Sequence, residues 1–142
     1  MTEDGELIGL FLSEAVPPGL SSSEAVARIK AQGGLVYLEH PYDSFRRRLR
    51  EEAVESLADQ IDIVEVWNGR SDREINRRAE QLRDVLGAAG GAGSDAHSVG
   101  EIGSVYVEME DFAGAQDFLA KLRSGEIRSR SSRLRLPKLR RP

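Results

Sequence analysis

Segments with strand character alternate with segments of helical periodicity along most of the chain, and this order constrains the fold more than any other feature. Strand-like apolar runs fall at residues 6–12, 35–39, 61–68 and 104–109. Helical patterns follow them at residues 21–34, 44–60, 71–90 and 111–126. Such alternation is typical of a parallel sheet with crossover helices, so we predict an α/β fold with a mostly parallel sheet and flanking helices.

Two of the helical segments carry local signals. Ser21 followed by Glu24 is a capping box, which predicts a helix start, and the glycine pair 33–34 predicts its end. In the next segment, apolar residues recur every four positions and predict one buried stripe along a helix: Phe45, Leu49, Ala53 and Leu57.

Composition excludes several classes of site. The chain contains no cysteine, so it has neither disulfides nor thiolate metal sites nor a cysteine nucleophile. No apolar run approaches the ~20 residues that a membrane span requires. The first residues, MTEDGE, are acidic and do not resemble a signal peptide. We therefore expect a cytoplasmic protein that does not insert into membranes.

Charge is distributed unevenly. Seven of the 20 basic residues and none of the 24 acidic residues lie in 128–142, which leaves residues 1–127 with a net charge of −11. We therefore divide the chain into a folded body, 1–127, and a basic, flexible tail, 128–142. A dedicated nucleic-acid domain would be basic on a folded face, so the acidic body argues against nucleic acid as the main partner.

Polar residues follow three of the predicted strands. His40 comes directly after 35–39, Asn68 ends 61–68, and Asp95 and His97 follow a short strand-like segment near 91–94. Ligands of α/β proteins gather at the carboxyl ends of parallel strands, so these residues are the candidate site.

Asp95 and His97 stand two positions apart in a glycine-rich segment. In extended backbone this spacing directs both side chains to the same side. A carboxylate beside an imidazole suits a divalent metal. The same spacing also suits a purely structural Asp–His hydrogen bond, and the residues alone leave both readings open.

A resemblance to a known family is carried by three segments: GGLVYLEHPYD, IDIVEVWNGRSDREINRRAEQL and GSDAHSVGEIG. Together they resemble the second half of the PHP family, the polymerase-and-histidinol-phosphatase superfamily of metal-dependent phosphoesterases. The resemblance extends to Ile127. It implies the C-terminal part of a distorted seven-stranded β/α barrel, with two or three metal ions at the strand ends.

By matched position, the resemblance implies that His40, Asp95 and His97 are metal ligands. The expected ions are zinc, manganese or iron, which activate a water molecule to attack the phosphate ester of a small molecule or a short nucleotide. Asn68 is implied to line this site.

The arginines that follow His40 are candidates for binding the substrate phosphate. Arg46 and Arg47, and with them Arg48, carry guanidinium groups that match phosphate oxygens. The alternative is that each of them belongs to the solvated first turn of a helix.

The chain also departs from the family pattern. Family members carry an H-x-H pair, a further Asp–His element and a glutamate before the region seen here, and this chain has no histidine before His40. We therefore expect a partial PHP domain that lacks its N-terminal half. Its three ligands would hold a single metal ion rather than a full cluster.

A partial domain would expose the edge of its first strand, at Glu6–Leu12. Exposed strand edges recruit other chains, so we expect a homo-oligomer or pairing with a separate N-terminal half of the barrel. The alternative to an enzyme is a catalytically inactive fragment that acts through such a partner.

Overall fold

The computed structural model describes residues 1–130. Within this range six strands form one sheet of four and one of two. The strands are β1 (Ile8–Leu10), β2 (Leu35–Leu38), β3 (Ile63–Asn68), β4 (Ala89–Gly93), β5 (Val105–Glu108) and β6 (Glu126–Ser129). The helices are α1 (Ser22–Ala31), α2 (Glu51–Ser56), α3 (Arg73–Leu86) and α4 (Gly114–Leu122), and short 3-10 turns lie at Ala58–Gln60 and Val99–Glu101.

The four-stranded sheet has the order β1-β2-β3-β4. Strands β2, β3 and β4 are parallel, and the connections between them contain α2 and α3. Strand β1 runs antiparallel to β2, and β5 pairs with β6 in a separate antiparallel sheet. The predicted α/β class, with a mostly parallel sheet and flanking helices, is confirmed.

Both faces of the central sheet are buried, which explains its nearly continuous apolar strands. Successive residues of β2 point to opposite faces. Leu35 joins one apolar cluster, which includes Leu122 of α4. Val36 and Leu38 join the other, which includes Ile29 of α1. The sheet therefore packs between helices, and polar residues lie at the strand ends, outside the two apolar clusters.

Helix α1 begins as the sequence predicts. The hydroxyl of Ser21 accepts a hydrogen bond from the backbone N–H of Glu24 at 3.3 Å, and the Glu24 carboxylate accepts one from the backbone N–H of Ser21 at 3.2 Å. The capping box is thereby confirmed. Gly33, just beyond the helix, has a φ of +72°, a conformation that favours glycine.

The helix predicted over residues 44–60 is wrong in its first half. Only Glu51–Ser56 is α-helical, and Phe45 is 96% exposed rather than part of a buried stripe. The backbone N–H of Glu6 donates to the carbonyl of Arg47 at 2.8 Å, and Glu6 forms a parallel bridge with Arg48. This long-range pairing holds the segment in a non-helical conformation that local periodicity does not reveal.

Two strand predictions also need correction. The strand expected over 6–12 is limited to Ile8–Leu10 and runs antiparallel to β2. It ends at Leu10 because Phe11 adopts a φ of 60° and turns the chain out of extended geometry. Strand β6 was not predicted, and the boundary expected at 127/128 falls inside it. The tail prediction otherwise concerns residues 131–142, which lie outside the described residues. Among residues 1–130, no helix combines the length and apolarity needed to cross a bilayer.

Candidate metal site at the strand ends

Three strand ends meet at one edge of the sheet because β2, β3 and β4 are adjacent and parallel. His40 lies two residues beyond β2, Asn68 is the last residue of β3, and Asp95 lies two residues beyond β4. His40 and Asp95 have φ values of 32° and 48°. Such backbone costs about 1–3 kcal/mol per non-glycine residue and is concentrated at functional sites.

The imidazole of His40 is buried between two carboxylates. Its Nε2 lies 3.5 Å from Glu39 Oε2 and 3.7 Å from Glu6 Oε2. One ligand atom from each of the three residues lies within 4.8 Å of the other two. We call these residues the His40 cluster. The ring Nδ1 of His40 is buried and has no hydrogen-bond partner among residues 1–130.

The electrostatics of this edge favour a cation. Burial raises the pKa of the Glu39 carboxyl; His40 opposes this shift, whereas the charges of Glu6, Glu65 and Asp95 add to it. Burial likewise raises the pKa of Glu65, against the hydrogen bonds that it accepts. Four carboxylates therefore share a small, partly desolvated region, and a divalent ion would relieve their mutual repulsion.

Glu65 connects the strand ends. Its Oε2 accepts hydrogen bonds from the backbone N–H of His40 at 2.9 Å and from Asn68 Nδ2 at 3.1 Å. Asn68 Nδ2 also lies 3.4 Å from Asp95 Oδ2. The buried carboxylate of Glu65 thus fixes the backbone of His40 and orients an amide between the ends of β3 and β4.

Asn76 of α3 anchors the end of β3 from the other side. Its Oδ1 accepts from the backbone N–H of Asn68 at 2.9 Å, and its Nδ2 donates to the Asn68 carbonyl at 3.2 Å. Because Asn76 is buried, this pair of hydrogen bonds is shielded from water and holds the strand end in place.

Asp95 and His97 share the guanidinium of Arg46. Arg46 Nη2 donates to Asp95 Oδ2 at 2.6 Å, and Nη1 lies 3.4 Å from His97 Nε2. His97 Nδ1 is 2.8 Å from the carbonyl oxygen of Asp95. Since a carbonyl only accepts, Nδ1 carries the ring proton in this contact and Nε2 presents a lone pair.

The predicted site residues therefore lie at one edge but in two groups. His40 is grouped with Glu6 and Glu39, whereas Asp95 and His97 are grouped around Arg46; within residues 1–130, only the His40 cluster brings three ligand atoms within 4.8 Å of one another. The assignment of His40, Asp95 and His97 as metal ligands stays a prediction.

The backbones of the two other arginines pair with Glu6 of the His40 cluster. Arg48 pairs with Glu51 at 3.2 Å. Arg47 is exposed, and its assignment as a substrate-binding residue also stays a prediction.

Sequence reasoning missed three acids. Glu39 directly precedes His40, and Glu65 interrupts the apolar strand IVEVWN, so both carried a signal: a charge where the pattern requires an apolar or neutral residue. Glu6 carries no such signal in the sequence, because only its bridge to Arg48 brings it close to His40.

A family comparison gives a match in the second half of the chain. Residues 73–127 match the family model described as PHP-associated. This region runs from α3 into β6 and contains Asp95 and His97. The match confirms the resemblance for the C-terminal region.

Two curated relatives come from Methanocaldococcus jannaschii. "Uncharacterized protein MJ0417" is 38% identical over 117 residues, which are 78% of this chain and 48% of the relative. "Uncharacterized protein MJ1587" is 44% identical over 68 residues, which are 48% of this chain and 38% of the relative. The chain spans less than half the length of each.

Two solved structures are also similar. PsfC from Pseudomonas syringae PB-5123 aligns over 77% of this chain and 46% of its own, with 18% identity and a TM-score of 0.58, which shows a shared fold. A candidate metal-dependent phosphoesterase from Bifidobacterium adolescentis aligns over 64% of this chain and 33% of its own, with 29% identity and a TM-score of 0.49.

Proposed function

Because this chain carries a C-terminal region of the PHP superfamily, we propose that it forms part of a metal-dependent phosphoesterase. The reaction is the hydrolysis of a phosphate ester in a small molecule or a short nucleotide. In this proposal the four-stranded sheet is a section of the distorted seven-stranded barrel, and further strands complete the site.

The convergence of two carboxylates on one buried imidazole, with the carboxylates of Glu65 and Asp95 at the same strand ends, carries this proposal. The His40 cluster supplies two carboxylates and a ring nitrogen, a donor set that zinc, manganese and iron accept. Glu39 and Glu65 have raised pKa values at the same edge, as expected where a cation is needed to balance charge. The residues present therefore fit a divalent ion.

Glu6, Glu39 and His40 would hold one ion, and Asp95 with His97 would supply ligands for another. When bound, a divalent ion lowers the pKa of a water molecule and so supplies the nucleophile. The protein's own contribution is position: Glu65 holds the His40 backbone, and the Asn68 amide faces the site. Arg46 offers a planar guanidinium fork to phosphate oxygens.

Metal analysis of the purified protein tests this proposal. After incubation with Mn²⁺ and dialysis, we expect about one ion per chain from the His40 cluster, lost in His40→Gln. The exposed Glu52 of α2 supplies the matched control, and Glu52→Gln should retain the ion. Release of p-nitrophenol from p-nitrophenyl phosphate should require the same ion. Folded wild-type protein that binds no Mn²⁺, Zn²⁺ or Fe²⁺ would contradict the proposal.

One observation favours the second candidate function, an inactive fragment that acts through association. Among residues 1–130, β1 pairs with a strand on one side only, and the exposed side chains of Ile8 and Phe11 lie on or beside it. A second copy of the chain, or a chain that supplies the N-terminal half of the barrel, could add a strand there. Light scattering that shows a stable oligomer, together with no turnover at any metal concentration, would favour this alternative.

A further inference from the structure

We propose that Arg46 is an internal counter-ion that occupies a second cation position, formed by Asp95 and His97, and leaves it when a divalent ion binds there. The inference rests on the proposed function, because it concerns the same edge of the sheet. It adds a role that neither metal ligation nor phosphate binding alone would give to Arg46.

The Arg46 guanidinium contacts both of the acceptor atoms that a metal ion at the second cation position would need. Arg46 Nη2 lies 2.6 Å from Asp95 Oδ2, and Nη1 lies 3.4 Å from His97 Nε2. One planar group therefore covers a carboxylate oxygen and an imidazole lone pair at the same time. A metal ion bound by these two atoms would have to stand where the guanidinium now stands.

His97 is already arranged as a metal ligand. Its Nδ1 faces the Asp95 carbonyl at 2.8 Å, which directs the ring proton to Nδ1 and leaves the Nε2 lone pair free for another partner. Metal-binding histidines generally donate their other ring N–H to a backbone carbonyl or carboxylate in this way. The backbone N–H of His97 is also fixed, because it donates to Glu101 Oε2 at 2.7 Å.

Electrostatic repulsion prevents joint occupancy. A guanidinium and a divalent ion on the same carboxylate would repel each other within a few ångströms, at a position where Asp95 is largely shielded from solvent. Arg46 is the more mobile partner, because it lies in the irregular segment before α2 and its remaining ion pair, with Asp43, is long at 3.9 Å. Binding of the ion therefore displaces the arginine.

The displaced guanidinium then becomes available to an anion. Phosphate near the strand ends would pair with the released Arg46 and so lower the free-energy cost of its displacement. By linkage, the second cation and phosphate should each strengthen the binding of the other. Arg46 thereby couples occupancy of the second cation position to the presence of a phosphate group.

Mn²⁺ binding isotherms test this role. We expect wild-type protein to bind one Mn²⁺ at the His40 cluster and a second one more weakly. Arg46→Gln should strengthen the second event by about tenfold, equivalent to 1.4 kcal/mol, and leave the first nearly unchanged. The matched control, Arg50→Gln, removes another exposed charge close to Arg46 in the chain and should change the affinity of either Mn²⁺ by less than about twofold. In an Asp95→Asn background, Arg46→Gln should have no further effect.

Inorganic phosphate provides a second measurement. At saturating phosphate, the second Mn²⁺ should bind more tightly to wild-type protein but not to Arg46→Gln. Arg46→Lys keeps the charge but loses the two-point contact, and it should give an intermediate affinity for Mn²⁺ without phosphate.

The outcomes separate this inference from the proposed function. If the first Mn²⁺ binds and is lost in His40→Gln, but the isotherm of Arg46→Gln overlays that of wild type, the role of Arg46 is overturned and the proposed function stands. An equal gain in the affinity of the second Mn²⁺ in Arg50→Gln would also overturn it. Wild-type protein that binds no Mn²⁺ would overturn both.

Discussion

The ring of Tyr37 on β2 reaches across β3 and packs against the backbone of Gly91 on β4. A Cβ atom at residue 91 would lie 2.5 Å from the Tyr37 ring, closer than packed atoms approach. Strand β4, AGGAG, has no side chain larger than a methyl group, and this allows the ring to cover it. The absence of a side chain at Gly91 is therefore a packing requirement.

Replacing Gly91 with alanine should destabilise the fold by about 1–3 kcal/mol, because the partly buried ring of Tyr37 must move. Urea unfolding followed by circular dichroism measures the effect. Gly100 supplies the control, since nothing lies within 4 Å of a Cβ built there. Gly100→Ala should stay within about 0.5 kcal/mol of wild type. If both variants lose the same free energy of unfolding, the contact with Tyr37 is not the cause of the loss in Gly91→Ala.

Tyr37 should also make the fold sensitive to alkaline pH. Burial, reinforced by the charges of Glu65 and Glu39, raises the pKa of its hydroxyl well above the usual range. The folded state therefore favours the protonated phenol, and this contribution to stability is present below about pH 10 and lost as pH rises toward the raised value. As pH rises from about 9 to about 12, Tyr37→Phe should therefore lose less stability than wild type. Tyr106→Phe, which changes an exposed ring, should behave like wild type.

Asp62 connects α1 to β2. Its Oδ2 accepts from the backbone N–H of Val36 at 2.6 Å and from Lys30 Nζ at 2.6 Å. Asp62→Ala leaves the Val36 N–H without this acceptor and should cost about 1–3 kcal/mol. The nearby exposed Asp59 provides the control, and Asp59→Ala should be nearly neutral in the same urea titration. If the two variants unfold at similar urea concentrations, Asp62 does not stabilise the fold by linking α1 to β2.

Asn76 should matter to both stability and metal binding. Asn76→Ala removes both hydrogen bonds to the backbone of Asn68 and should cost about 1–3 kcal/mol. Because the end of β3 then moves more freely, Mn²⁺ affinity should also fall, by about tenfold. Gln81→Ala, on the exposed surface of α3, is the control for both measurements. Lost stability with full Mn²⁺ affinity would limit Asn76 to a structural role.

The sequence predicts the central sheet and the position of the candidate site because both follow from short-range patterns. Apolar runs that end in His40 and Asn68 mark strand ends, and parallel order brings such ends together. The position of Glu6 could not be predicted in the same way, because it depends on pairing with a residue 42 positions away.

The failure at Phe45 has a similar origin. Apolar spacing at 45, 49, 53 and 57 is compatible with a helix, but periodicity does not weigh competing interactions. Arg46 is held by Asp95, and the backbone of Arg47 binds Glu6. Both partners are distant in sequence. The order of the helices and strands can therefore be predicted from the sequence. The conformation of the segment that contains Arg46 and Arg47 cannot, because it depends on contacts with Asp95 and Glu6 that form only in the folded protein.

Glu65 accepts its hydrogen bond from the main chain of His40 and not from the imidazole. This hydrogen bond therefore does not depend on the side chain of residue 40. In the proposed metal site, an aspartate or a cysteine at residue 40 would keep the same main-chain anchor, so this single substitution would shift the preference between hard and soft metals and leave the Glu65 contact in place.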